Sequence, residues 1–204
     1  MVEKYREIAF TPSVLEAQRH AYGAAQSTPL AGEDDELGPM EIEYIQNRDS
    51  FYMATVSETG WPYVQHRGGP LGFLRALDSR TLAFADLRGN RQLLSTGNLS
   101  KNDRVALFLM DYPGRRRLKI QGTATLIDAR QDPELARSLV PAQLSARVER
   151  IFAIRVVGFD WNCPSYITPR FTESEVLEVM APLKQRIAEL EAQLRAGSAG
   201  SASG

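Results

Sequence analysis

The chain has 204 residues, enough for one domain with additions and for a core burying roughly 70% of the surface an unfolded chain exposes. Its 24 Lys and Arg against 25 Asp and Glu leave a net charge of -1, so no broad field draws it onto nucleic acid or an anionic membrane. A single cysteine, Cys163, excludes an internal disulfide and a Cys-built zinc site, two histidines exclude a His-rich metal centre, and no apolar run reaches the length of a signal core or a membrane span, so a soluble, cytoplasmic protein is expected.

In chain order, Ser13 with Glu16 three residues later has capping-box spacing and predicts a peripheral helix within residues 11–26, running through Val14, Leu15 and His20. An acidic loop from Gly32 to Glu36 follows, and Pro39 at a first helical position predicts a short helix holding Ile42 and Ile45. The texture then turns to β. Phe51 to Val56 reads as a strand, Ser57 to Gly60 as a turn and Trp61 to Gln65 as the hairpin partner. Further runs are Phe73 to Leu77, Thr81 to Ala85, Val105 to Met110, Leu118 to Ile127 and Phe152 to Val157. Short strands with hairpin links and few long helices point to a closed or nearly closed antiparallel barrel. No G-x-G-x-x-G follows a strand, so the dinucleotide fingerprint is missing.

Two stretches within the β region carry candidate chemistry. In Trp61 to Leu74, the polar Gln65, His66 and Arg67 end a strand, and a glycine-rich bend follows that would let a planar ligand approach the backbone. His66 fits equally a histidine satisfying a barrel rim. In Phe84 to Leu109, a strand ends at Asp86, a Gly89-Asn90-Arg91 turn follows, and Asn90 is placed to cap a short amphipathic helix carrying Leu93 and Leu94. Unsatisfied N–H groups at such a start, with a forked cation beside them, suit a phosphate. Taken alone, G-N-R also fits a tight turn with a solvated charge.

Asp111-Tyr112-Pro113-Gly114 reads as a turn in which proline presets φ and glycine takes positive φ. The basic triplet Arg115, Arg116 and Arg117 behind it fits a solvated hairpin end. Residues 161–171 form a proline-containing loop with Trp161, Cys163, Tyr166 and Arg170, either a rigid connector or a cover over a bound group, and nothing beside Cys163 acts as a base. Thr172 to Ala196 reads as helical with Pro182 opening its final piece; Leu183, Ile187, Leu190 and Leu194 recur at steps of four, three and four, a seam of barely two heptads that could pack in cis or pair with a partner. The tail over 197–204 is low-complexity and expected to be disordered.

The order strand, turn, Asn90-Arg91-Gln92, helix, then Asn102, Arg104, Val105, Leu107 and Leu109 resembles the phosphate-gripping segment of the pyridoxamine 5'-phosphate oxidase-like split-barrel flavoproteins. The resemblance implies a mainly β (α+β) fold, an antiparallel six-stranded split β-barrel over 49–160 with flanking helices, a helical extension over 1–48 and C-terminal helices over 172–196. It implies FMN bound at the interface of a homodimer. Arg91, the backbone of Gly89, Asn90 and Gln92, and Arg67 would hold the phosphate; Gln65 and His66 would line the ring; Arg117 or Lys119 would donate across the subunit boundary toward the pyrimidine carbonyl. Trp161 or Tyr166 would pack near the ring and Arg170 would meet an anionic small-molecule substrate. Gln92 departs from the pattern, because the family places a second cation there. The family's arginine-rich C-terminal substrate signature has no match, which points away from vitamin B6 and toward an oxidoreductase of another substrate. Alternatives are a flavin- or haem-binding sensor without turnover and a deazaflavin-dependent reductase.

Overall fold

The computed structural model describes residues 3–28, 32–161 and 164–201, with the backbone alone for 194 and 196–201. Two units separate: Met1–Asp111 with Arg116–Ser165, and Tyr112–Arg115 with Tyr166–Gly204.

The first unit opens with α1 (Glu3–Ala9) and α2 (Pro12–Tyr22). The expected capping residue was Ser13, but the cap is Thr11, whose hydroxyl accepts from the Val14 N–H, because Pro12 takes the first helical position and leaves the residue before it as the cap. Gly23, at φ 74, closes α2. α3 (Pro39–Gln46) begins at the predicted proline, and Glu41 reaches back to the Gly38 N–H. Seven strands follow: β1 (Ser50–Val56), β2 (Pro62–Gly68), β3 (Arg75–Ala76), β4 (Thr81–Leu87), β5 (Arg104–Asp111), β6 (Arg116–Asp128) and β7 (Val148–Trp161). Between them lie α4 (Leu94–Leu99), α5 (Pro133–Ser138) and a 3-10 turn, Ala142–Arg147.

All neighbours are antiparallel, in the order β2-β1-β5-β6-β7-β4-β3. The fold is thus the mainly β class expected, with one more strand than the six anticipated. The run expected over Phe73 to Leu77 shrinks to two paired residues, β3. Pro70 accepts from the Phe73 N–H in a turn and Gly72 takes φ +75, so the chain is still bending where a strand was expected.

Alternation along β5 and β6 sends Leu107, Leu109, Leu118 and Ile120 into the barrel. Phe51, Phe73, Phe84 and Phe152 form an aromatic cluster, with Phe84 and Phe152 stacked at 4.8 Å. A bulge between Gln121 and Gly122 leaves Val157 as the extra residue on β7. Asp35 occupies it: its N–H donates to the Val157 carbonyl, and its carboxylate accepts from Lys4, Tyr5 and Phe159 N–H groups at 3.2, 3.3 and 3.2 Å. One carboxylate thereby fastens α1 to β7.

The second unit holds the 112–115 turn and α6 (Glu173–Ser201). In the turn, Arg115 rather than Gly114 takes positive φ, at 54°. Thr172 and Glu175 form a reciprocal capping box at the start of α6. Pro182 lies inside a continuous helix instead of opening a new piece, and the helix runs to Ser201, into the stretch expected to be disordered. Extending an existing helix adds a hydrogen bond for each residue fixed, which lets it propagate past weak formers. No described helix is long and apolar enough to cross a membrane.

Candidate functional site

β2 and β4 are not backbone-paired, and side chains span the gap between them. β2 alternates, turning Tyr63, Gln65 and Arg67 inward and leaving Val64 and His66 exposed. Arg67 donates through Nη1 to Asp86 Oδ1 at 2.8 Å, bridging the open seam. Its guanidinium lies over Phe152 and Phe84, 4.9 and 5.4 Å from the ring centroids, and its Nε is buried without a hydrogen bond.

A cleft of about 240 Å³ opens at this seam. It is lined by Gln65 and Arg67 from β2, Asp86 from β4, the loop of Gly89, Asn90, Arg91 and Gln92, Ser95 and Thr96 from α4, and Glu149 and Arg150 from β7. The structure therefore brings together six of the nine residues expected at a cofactor, Gln65, Arg67, Gly89, Asn90, Arg91 and Gln92. Asn90 does not cap α4. Its Oδ1 accepts from the Gln92 N–H in a local turn, and the capping position falls on Leu93 at φ 55, without a side-chain cap. Arg91 is also left-handed, at φ 62. Two non-glycine residues in that region within three positions cost on the order of 1 to 3 kcal/mol each, and such strain concentrates at binding sites. Of Leu93 and Leu94, expected on an amphipathic helix here, only Leu94 lies within α4 and both are exposed; Ser95 and Leu99 are its buried residues. Ser95 donates to Gln65 Oε1 at 3.1 Å, fixing α4 against β2.

Arg150 was not anticipated. It stands opposite Asp86 in the β4–β7 register, 3.5 Å from Asp86 Oδ2, and also donates to Thr96 Oγ1 at 3.3 Å and to Glu149 Oε2 at 2.5 Å. A hydrogen bond from Arg88, reinforced by Arg150, holds the Glu149 carboxyl below the usual carboxylate range. The cleft thus sets Arg67, Arg91 and Arg150 against Asp86 and Glu149. A second hollow of about 380 Å³ shares Arg67, Asp86 and Leu87 and continues along His66, the 68–73 bend and Leu139 to Leu144. His66 belongs to this hollow, its ring edge-on to Tyr52 at 5.6 Å.

The other expected residues lie apart from the cleft. Arg117 sits over the Phe108 ring at 5.7 Å. Lys119 pairs with the buried Asp160 at 2.7 Å and lies over Tyr5; burial pulls its ammonium down, but the Asp160 hydrogen bond and charge outweigh this and its pKa is raised. Trp161 is committed to α3, its indole N–H donating to Glu41 at 2.7 Å and its ring edge-on to Tyr44 at 4.7 Å. In the second unit, Tyr166 is fully exposed and Arg170 lies over Tyr112 at 5.0 Å. Cys163 lies outside the described residues. No cluster of metal-ligating side chains occurs among the described residues.

Fold and seam define a split β-barrel. Residues 41–160, more than half of the chain, match the pyridoxamine 5'-phosphate oxidase family, and the chain belongs to it. No curated protein matches the sequence. Among solved structures, HupZ of Group A Streptococcus is similar at 14% identity and TM-score 0.48, covering 66% of this chain and 100% of its own. A candidate pyridoxamine 5'-phosphate oxidase of Lactobacillus delbrueckii is similar at 19% and 0.47, covering 61% and 93%. General stress protein 26 of Bacillus anthracis is similar at 15% and 0.46, covering 64% and 92%.

Proposed function

We propose that the protein binds FMN at the seam cleft and acts as an oxidoreductase on a small molecule other than vitamin B6. One observation carries the reading: arginines from three separate elements, β2, the 88–93 loop and β7, converge on one polar cleft. Fixed guanidinium forks in that arrangement suit a phosphate dianion. Arg67 and Arg150 are 14% and 16% exposed, more buried than solubility requires. The unbonded Nε of Arg67 and the paired left-handed residues of the loop fit a group that is bound there. Gln92 withholds the family's second cation, and Arg150 supports the reading by supplying one from β7.

In this assignment Arg67, Arg91 and Arg150 hold the phosphate with the Gly89 to Gln92 backbone, and Gln65 and His66 line the path toward the 68–73 bend. Bound FMN supplies reversible hydride transfer at its N5 atom. The cleft and the adjoining hollow of about 380 Å³ together reach the roughly 300 to 1,000 Å³ typical of sites that bury a ligand of this size, and a second copy would close them from outside. The outer face of β1, β2 and β5 suits that role. Tyr52 and Val64 are 40% and 60% exposed on it, beside a hollow of about 510 Å³ lined by Ala54, Val56, Pro62 and Ala106. Arg117 extends the same face, where it would reach a partner's flavin; Lys119, held by Asp160, keeps that role only if the pair opens. Tyr166 and Arg170 are the candidate substrate contacts, whereas Trp161 serves α3.

The test is the visible spectrum after incubation with FMN and desalting, followed by addition of NADH or NADPH. One retained flavin per chain, bleached by either donor, is expected. Retained flavin that neither donor reduces would favour a sensor, and a protein that stays colourless would remove the flavin assignment.

A further inference from the structure

Helix α6 presents an apolar stripe for which the barrel chemistry offers no use. Val176, Met180, Leu183, Ile187 and Leu190 follow steps of four, three, four and three, and each is at least 40% exposed. That is the spacing of alternating d and a positions, extending the seam legible in the sequence by one heptad toward the N-terminus. Leu194 continues the register in sequence, and its side chain lies outside the described residues. We propose that α6 pairs with α6 of a second copy as a parallel, two-stranded coiled coil.

Two features beyond the stripe select this occupant. The first is residue type. Ile187 stands at the a position nearest the middle of the seam, between Leu183 and Leu190 at d, a local combination that favours two parallel strands over three or four, while Met180 at the neighbouring a position is neutral. The second is charge. Arg186 falls at g and Glu191 at the following e, so in a parallel pair each Arg186 faces the Glu191 of the other helix, and the contact occurs twice by symmetry. Within one helix these charges are held by Glu189 at 3.0 Å and Arg195 at 3.7 Å, exposed pairs that exchange at little cost. Pro182 falls at a c position, on the side away from the seam, so its missing N–H costs the helix a bond without interrupting the packing surface. A seam this short is weak for free helices; the inference therefore rests on the barrel pairing proposed above, which would raise the effective concentration of one helix near the other to the millimolar range.

The test uses the full chain in a Cys163→Ser background, with one new cysteine at a time in a glutathione redox buffer. Met180→Cys lies at an a position far from the middle of the seam, and a parallel pair is expected to link it into a disulfide dimer at least about tenfold faster than the outward-facing Gln185→Cys. Adding Ile187→Asp is expected to abolish that advantage while leaving the barrel's thermal transition in place. Equal rates for Met180→Cys and Gln185→Cys would overturn the proposal. Cross-linking at Leu183→Cys or Ile187→Cys, near the middle of the seam, but not at Met180→Cys would mean antiparallel pairing and overturn it as well. An Ile187→Asp chain whose barrel melts earlier, with no Met180→Cys linkage, would place the stripe against its own barrel instead.

Discussion

Replacing Arg150 with methionine tests the cleft at the residue least visible in the sequence. Methionine keeps most of the side chain's length and packing while deleting the guanidinium. In the unliganded protein the effect is bounded, because neither carboxylate is orphaned: Asp86 keeps Arg67 at 2.8 Å and Glu149 keeps Arg88 at 3.2 Å. The substitution removes a 3.5 Å ion pair, a 3.3 Å hydrogen bond to Thr96 and the pairing with the adjacent Glu149. At about 0 to 1 kcal/mol each, the three contacts sum to at most about 3 kcal/mol, so the melting temperature should fall by no more than about 12 °C in a chain of this size. Binding is another matter. A charge-assisted contact to a phosphate contributes about 1.5 to 3 kcal/mol, so the FMN dissociation constant should rise roughly 10- to 150-fold. Quenching of FMN fluorescence on titration measures the second quantity and differential scanning calorimetry the first. A dissociation constant within about twofold of the parent, with an unchanged melting temperature, would refute the assignment of Arg150 to the phosphate.

Asp35→Ala should destabilise the fold by about 2 to 4 kcal/mol, since three backbone N–H groups lose their acceptor, and urea unfolding would show it. Gly122→Ala should cost at least about 1 to 3 kcal/mol in the same assay. Its Cβ would stand 2.3 Å from the Arg155 carbonyl oxygen, which the paired strand cannot withdraw. Tyr44 should make stability fall at alkaline pH. Burial pushes its hydroxyl from 10.0 up to about 12, with Arg48 opposing and Asp111 reinforcing, and the protonated group donates to the Leu109 and Arg116 carbonyls. Because the folded value lies above the unfolded one, the contribution of about 3 kcal/mol is complete below pH 10 and is lost as the pH rises toward 12. Urea midpoints at pH 9 and 11 should therefore differ more for the parent than for Tyr44→Phe.

The strands and their hairpins were legible because alternation at a period of two is local, and so was α3, which Pro39 announces by itself. The Gly89 to Gln92 loop was legible as a turn after β4 for the same reason, its residue types sitting side by side, and it lines the cleft. What escaped was whatever depends on pairing between distant strands. Arg150 reads as one more charge in Val148-Glu149-Arg150 until the β4–β7 register sets it against Asp86. Asp35 reads as part of an acidic loop until the bulge at Val157 gives it a position to fill. The cap of α4 was misplaced because Asn90 satisfies its own loop first, and Trp161 was assigned to a ligand because its partner, Glu41, lies far away in sequence.

The seam between β2 and β4 gives the barrel a hinge line without a broken ladder. Every other pair of adjacent strands is stitched by backbone, whereas here one arginine spans the gap to one aspartate. Widening the mouth therefore requires only that a side chain change partner, not that a strand peel away. In the proposed assignment a phosphate arriving in the cleft would compete with Asp86 for the same guanidinium, so that filling the site and releasing this latch would be a single event. Substitutions along this line would then alter the width of the cleft while the paired strands of the rest of the sheet stay as they are.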